Sequence, residues 1–211
     1  MRVSLIGMAG SGKSYWSMRL AEHGFRRFCC DDLIAAKLAP KLKRPDGTTM
    51  QVSQWMGFPY DPHYKERESK YMACELEVLT QILGYLESRE KHPEENIVVD
   101  TSGSVIYAGE SMLRKLGRHT TIAYLLTPPE LQGQLLQAYI SNPHPMVWGD
   151  VFRRDPGETN RRALARSYPR LVAARQRLYE RYAAVTIGYY RRMEEGFGVS
   201  EFLSAVNARG T

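Results

Sequence analysis

The sequence predicts an α/β protein, a three-layer sandwich in which a five-stranded, mostly parallel sheet carries helices on both faces. Two observations predict it. Five short apolar segments, at residues 2–6, 25–29, 97–100, 120–126 and 184–188, alternate with segments of helical period. Between the first strand and the first helix lies Gly-Met-Ala-Gly-Ser-Gly-Lys-Ser, residues 7–14, a complete match to Gly-x-x-x-x-Gly-Lys-Ser in the strand, loop, helix setting that its mechanism demands. Sheets of this kind gather ligands at the carboxyl ends of their strands.

The first strand runs into a glycine-rich turn at 7–12, and the helix that follows spans 13–23 with Gly24 as its stop. After the second strand a helix is expected at 31–39, ended by Pro40, which has no N–H to donate. Residues 41–60 hold Pro45, Gly47, Gly57 and Pro59 and read as irregular, able to reach over a ligand. Asp61 and Pro62 start a long helix whose stripe of Tyr64, Tyr71, Met72, Leu76, Leu79, Leu83 and Leu86 continues until Pro93. Further helices are expected at 108–116, 129–141, 169–182 and 200–208.

With 211 residues, 43% apolar, the chain can bury the core of one domain covering 1–211. Its longest apolar runs, such as 123–126, fall far below the ~20 residues that cross a bilayer, and the first residues form strand rather than a leader. A cytoplasmic protein without a membrane partner is the expectation. Cys29, Cys30 and Cys74 have the spacing of neither a disulfide framework nor a metal site and read as buried thiols. The net charge of +6 is uneven: residues 151–192 hold eleven arginines against Asp155, Glu158 and Glu180, a local +8. Such a segment suits nucleic acid or a small polyphosphate, and the motifs favour the polyphosphate.

In the octapeptide, Gly7, Gly10 and Gly12 let backbone amides, Ser11 included, converge on phosphate oxygens at a positive helix terminus. Lys13 reaches the β- and γ-phosphates, and the Ser14 hydroxyl ligates magnesium. ATP and Mg2+ are the implied cofactors of this P-loop. The strand at 97–100 ends in Asp100, placed to approach the magnesium or to cap the next helix. Thr101 follows it, where a hydrolysing motor ATPase commonly has glutamate, which favours transfer to a substrate hydroxyl. No Asn-Lys-x-Asp guanine motif occurs. Asp31 can orient that hydroxyl and take its proton, or merely cap its helix; Asp32 is the alternative if the register slips. Arg153, Arg154, Arg161 and Arg162 lie where a lid would close. His144, between two prolines, could donate to a phosphate when protonated. Tyr189, Tyr190 and Arg191, after the last strand, are placed to stack on adenine.

In order along the chain these residues resemble the shikimate kinase family of small P-loop kinases. Residues 28–34, Phe-Cys-Cys-Asp-Asp-Leu-Ile, are similar to a stretch with two alternate aspartates, with Asp31 at the substrate-binding one and Cys29 at the other. Residues 71–75, Tyr-Met-Ala-Cys-Glu, resemble Phe-Arg-x-x-Glu, with Met72 in place of the arginine that holds the substrate carboxylate. Residues 99–104 stand where the family has Thr-Gly-Gly-Gly, and Gly103 alone of those glycines remains. His144-Pro145-Met146 falls at the lid's Arg-Pro-Leu, and residues 175–183 resemble Arg-x-Pro-Leu-Tyr, with Arg175 at a second substrate-binding arginine. The resemblance implies a substrate-binding helical segment over about 31–92 and a mobile lid over about 142–168. Trp55, Phe58, Tyr60 and Tyr64 add aromatic surface that would suit a larger or flatter substrate, or simply core.

The expectation is therefore in-line transfer of the γ-phosphoryl group to a small hydroxylated metabolite. The catalytic set is Lys13, Asp31, Asp100 and Arg175, with Met72 and Gly103 also on the substrate and Tyr189 on the nucleotide. Shikimate kinase itself, a nucleoside monophosphate kinase, and a non-catalytic nucleotide- or RNA-binding switch are the other readings. The sequence specifies these small partners rather than an assembly state.

Overall fold

Strands β1 (Arg2–Ile6), β2 (Arg26–Cys29), β3 (Ile97–Asp100), β4 (Thr121–Leu125) and β5 (Val185–Ile187) form one sheet in the order β2-β3-β1-β4-β5. Every pairing is parallel, so the mostly parallel expectation becomes a wholly parallel sheet. The computed structural model describes residues 1–89 and 94–208.

The side chains of the strands alternate with period two between two cores. Val3, Leu5, Val98, Ala123 and Leu125 face α1 (Lys13–Glu22) and α9 (Val199–Asn207), where Trp16 stacks on Phe202 at 4.5 Å. Ile6, Ile97, Val99, Ile122 and Tyr124 face the larger core built by α2 (Cys30–Leu42), α4 (Tyr64–Ser88), α5 (Glu110–His119) and α7 (Asn160–Tyr182). Between these helices lie α3 (Val52–Met56), a 3-10 turn at Val105–Tyr107, another at Pro129–Leu131 leading into α6 (Gln132–Ser141), and α8 (Tyr189–Arg192). Among the described residues no helix is long and apolar enough to cross a membrane.

Several expected boundaries move. Helix α2 passes through Pro40 to Leu42. The proline sits in the last turn, where one lost hydrogen bond is offset by the buried Leu38 and Leu42. Helix α7 begins at Asn160, nine residues earlier than expected, with the Thr159 side chain accepting from the Arg162 N–H as its cap. Pro169 lies inside it, and the Ala165 carbonyl that loses its donor is on the exposed face with the proline, where water can satisfy it. Residues 41–60 are not wholly irregular: they contain α3 and an antiparallel bridge between Lys43 and Thr49. Asp61 precedes α4 rather than starting it, its carboxylate accepting from the Phe58 N–H at 2.7 Å. Helix α4 ends at Ser88, and Pro93, to which its stripe was expected to run, lies outside the described residues. Cys30 is buried, whereas Cys29, at the end of β2, and Cys74, which packs at the margin of the core, are half-buried, so only one of the three is the buried thiol expected.

The segment expected to form a lid is rooted in the core. Trp148 is 1% exposed, among Tyr139, Phe152 and Tyr168. The Glu68 carboxylate accepts from the N–H groups of Trp148 and Gly149 and from the Tyr64 hydroxyl, at 2.6 to 2.8 Å. Trp55 and Tyr64 are buried, and Phe58 packs on Tyr60 and Tyr139, so the added aromatics form core rather than a ligand platform. Truncating so large and fully buried a side chain should be costly: Trp148→Ala is expected to lower stability by about 3 to 5 kcal/mol in urea unfolding. A loss below about 1 kcal/mol would show that this root is not held by packing.

Candidate active site

The wholly parallel sheet places the ends of β1, β2, β3 and β4 on one edge, and the principal cavity opens there with a volume of about 390 Å³. Gly10, Gly12, Lys13 and Ser14 form its floor, and Asp31, Tyr71, Gly103, Ser104, His144 and Arg175 rise around it.

The loop at 7–14 is shaped by its glycines. At Gly7 (φ +147°) a Cβ would stand 2.8 Å from Ser11 Oγ and 2.9 Å from the Leu125 carbonyl, and Gly12 (φ +94°) is the left-handed N-cap of α1. No side chain caps α1 and no acidic residue lies in its first turn, so its free N–H groups and positive terminus face the cavity. Ser11 Oγ is buried without a partner. The Lys13 ammonium donates to the Gly7 and Met8 carbonyls at 2.9 and 3.0 Å. Burial lowers the Lys13 pKa, and the charges of Asp31 and Asp100 pull it back. Orphaned donors, a buried cation and an uncompensated helix terminus fit a polyphosphate.

Asp100, at the end of β3, is 3% exposed and caps no helix. Its Oδ2 accepts from Arg27 Nη2 at 2.8 Å and Ser17 Oγ at 2.9 Å, and Arg27 Nε also donates to Ser17 at 2.7 Å. The hydroxyl of Ser14 is exposed at the loop. Ser14 and Asp100 are hard oxygen donors, and among the described residues no cluster of three metal-binding side chains occurs. Oxygen donors of this kind suit magnesium, which takes one or two protein ligands and completes its shell with water and phosphate; Ser14 lines the cavity, whereas Asp100 stands behind the lining, held by Arg27 and Ser17.

Asp31 sits in the first turn of α2, whose N-cap is Cys29, so it is not the cap of that helix. Asp31 is exposed and lines the cavity; partial desolvation there raises its pKa, against the opposing charge of Lys13. The Tyr71 hydroxyl points to its Oδ1 at 3.4 Å. Deeper, Glu75 accepts from Ser104 at 3.0 Å and from Ser102, while its Oε2 is buried without a partner. Burial pushes the Glu75 carboxyl up to about 7.

Arg175, 2% exposed, donates to the Gly103 carbonyl at 3.2 Å and the Val147 carbonyl at 2.5 Å, with its guanidinium 5.5 Å from the Tyr107 ring. The Tyr179 hydroxyl donates to the same Gly103 carbonyl, and Gly103 lies so close to the phosphate loop that a Cβ would be 3.5 Å from the Ala9 nitrogen.

Other expected site residues lie elsewhere. Met72 faces a separate small cavity with Glu75, Leu76 and Tyr107, because the helical turn that points Tyr71 and Glu75 inward turns its neighbour away. His144 lines the cavity, but burial, then the charges of Lys13 and Arg175, hold its pKa down to about 4, so at pH 7 it is neutral and lacks the proton that a phosphate contact would need. Arg153 and Arg154 are exposed and absent from the cavity wall; Arg154 donates to Asn160 and the Arg153 carbonyl accepts from Arg166. Arg161 and Arg162 are exposed on the first turn of α7. Tyr189 is half-buried at the start of α8, 5.9 Å from the Arg192 guanidinium, while Tyr190 is 60% exposed and bonded to Glu130.

Sequence reasoning missed Arg27 and Arg192. Arg192 donates to the Ser11 carbonyl at 2.6 Å, the Leu126 carbonyl at 2.7 Å and the Gly188 carbonyl at 3.3 Å, tying the phosphate loop to the ends of β4 and β5. Burial lowers its pKa to about 10. The only signal in the sequence is position, Arg27 within the short strand β2 and Arg192 at the end of the short helix after β5, which periodicity does not grade.

The comparisons with solved structures find the same fold. Shikimate kinase from Acinetobacter baumannii in complex with shikimate aligns over 96% of this chain and 90% of its own, with TM-score 0.61 and 22% identity. Shikimate kinase from Aquifex aeolicus aligns over 98% and 96%, at 0.58 and 18%. That from Bacteroides thetaiotaomicron aligns over 98% and 94%, at 0.60 and 14%. No family model matches the chain, and no curated protein matches it by sequence. The chain therefore has the fold of the family that its motifs resemble.

Two outcomes test this geometry. Arg192→Lys, which cannot span three carbonyls, is expected to weaken ATP binding about tenfold in a fluorescence titration, the loss of one charge-assisted hydrogen bond. Unchanged affinity would remove Arg192 from the loop's support. For Glu75 the folded pKa of about 7 exceeds the usual value of 4.5, so the native state binds the extra proton between these limits. Its contribution is fully present below about pH 4.5 and is lost as pH rises to 7, roughly 3 kcal/mol in all. Urea unfolding of wild type and Glu75→Gln should show the variant gaining relative stability from pH 5 to 8; parallel curves would contradict a buried, protonated Glu75.

Proposed function

We propose that this chain is a kinase, dependent on ATP and magnesium, that transfers the γ-phosphoryl group to a hydroxyl of a small metabolite. The observation that carries the reading is the uncapped end of α1, with Lys13, opening directly into the cavity that Asp31 also enters. Loop amides and Lys13 hold the β- and γ-phosphates, and Tyr189 would stack on the base. Ser14 and Asp100 would hold the magnesium, which neutralises charge on the bridging phosphate oxygens when bound.

On the acceptor side, Asp31 orients the attacking hydroxyl and accepts its proton late in the transfer. Its raised pKa makes it a better proton acceptor than an ordinary carboxylate, and Tyr71 fixes its orientation. Gly103 and Ser104 crowd the acceptor toward the phosphate loop, while residues 144–147 cover the cavity and exclude water that would otherwise compete for the phosphoryl group. Arg175 shapes this wall through the carbonyls it holds and adds its positive charge to that of Lys13.

The test is ADP release from ATP and magnesium with shikimate and a panel of hydroxylated metabolites. Lys13→Ala is expected to abolish turnover, and Asp31→Asn to lower kcat by about 10² to 10⁴ while keeping the unfolding midpoint. Wild-type rates in Asp31→Asn would remove it as the base. ATP binding without ADP release across the whole panel would overturn the kinase reading.

A further inference from the structure

The cavity continues past Asp31 into a second chamber of about 400 Å³; the two share Asp31, Tyr71, His144 and Pro145. An acceptor whose hydroxyl meets Asp31 while the phosphates fill the floor around Lys13 has this space beside it, so the chamber's chemistry selects the groups that the acceptor carries there. This step rests on the kinase reading given above.

The charges in the two chambers are unequal. In the second chamber's wall the charged side chains are Asp31 and Asp32, and both are negative. The other polar groups there, Gln51, Ser53, Asn142 and the neutral His144, carry no charge but offer hydrogen bonds of both senses. The cations of the first chamber are Lys13 and Arg175. Lys13 lies on the floor among the loop carbonyls, where the phosphates go. Arg175 does not line the second chamber: its two terminal nitrogens donate to the Gly103 and Val147 carbonyls, and its unpartnered Nε is buried. An anionic group in the second chamber would stand beside two carboxylates with no cation facing it, an arrangement that repels rather than binds. A hydroxyl meets neutral partners there, and a protonated amine meets two carboxylates.

We infer that the acceptor carries no carboxylate or phosphate of its own, and is a neutral or amine-bearing polyhydroxyl compound seated between Asp31 and the wall formed by Asp32, Ser53 and Asn142. Phosphoryl transfer then forms a bond from the acceptor oxygen to the γ-phosphorus and breaks the bond to the β,γ-bridging oxygen. The hydroxyl proton passes to Asp31, and ADP leaves with the electron pair.

A matched trio on one cyclohexene triol skeleton tests this: shikimate, with its carboxylate, and analogues bearing hydroxymethyl or aminomethyl at the same carbon. Binding is measured calorimetrically with wild type, magnesium and a non-hydrolysable ATP analogue, then with Asp32→Lys, a change at an exposed position. The expected order is aminomethyl tightest, hydroxymethyl next and shikimate at least tenfold weaker than the amine, with Asp32→Lys reversing it. Shikimate binding as tightly as the amine, or an order that Asp32→Lys leaves untouched, overturns the inference. So does failure of all three to bind at millimolar concentration while the nucleotide analogue binds. ADP release with ATP separates the two claims: preferential amine binding without transfer sinks the kinase reading and leaves only the chamber's charge preference, and transfer that prefers shikimate sinks this inference alone.

Discussion

The site is organised around a guanidinium buried among main-chain carbonyls. Arg175 enters from α7, is 2% exposed, and joins the Gly103 carbonyl after β3 to the Val147 carbonyl at the root of the covering segment. An unpaired charge in such a place would be costly, and neutral carbonyls with the Tyr107 ring offset that cost without a carboxylate partner. Because Glu75 lies nearby yet is not ion-paired with Arg175, the glutamate is left with serine partners and an elevated pKa. One positive side chain thus fixes the distance between two walls of the cavity, and the position of Gly103 over the phosphate loop follows from it.

The same principle recurs on the nucleotide side. Arg192 satisfies three carbonyls behind the phosphate loop, and Arg27 pairs with Asp100 while bonding Ser17 of α1. Of the eleven arginines that make 151–192 so basic, Arg175 and Arg192 are interior, and Arg166 is paired with Asp155 and Glu158. Part of that local +8 is therefore architecture rather than a surface for an anionic partner. A parallel sheet exposes carbonyls at its carboxyl edge, and arginines with several donors are suited to collecting them.

Legibility in the sequence follows the range of the interaction concerned. The strand, loop, helix around Gly7 to Ser14 is local, and so are the five apolar strands, whose two-residue alternation divides Ile97 and Val99 from Val98 across the sheet. Asp31 and Gly103 were found through short motifs that the fold brings to one cavity. What escaped was set by distant partners. Pro169 reads as a helix start, but burial of Leu164 and Tyr168 before it carries α7 through. The methionine at position 72 reads as facing the substrate, whereas Tyr71 and Glu75 take that side of α4. His144 reads as a phosphate donor when protonated, and its burial, with the nearness of Lys13 and Arg175, keeps it neutral. Arg27 and Arg192 have no local signature, since their partners lie 73 and 181 residues away.

The cavity's charges also bear on the order in which its groups become active. Burial pushes Lys13 toward neutrality, and partial desolvation pushes the exposed Asp31 toward protonation, each drawn back by the charge of the other. Under the kinase reading, arrival of a triphosphate stabilises the charged Lys13 and draws its ammonium away from the Gly7 and Met8 carbonyls. The added negative charge raises the proton affinity of Asp31 at the moment an acceptor hydroxyl must lose its proton. On that reading, a carboxylate whose proton affinity is already raised, and rises further when a triphosphate arrives, couples proton transfer to occupancy of the phosphate loop. A neutral or cationic acceptor preserves that coupling, because it brings no second anion to the mouth that Asp31 and Asp32 share.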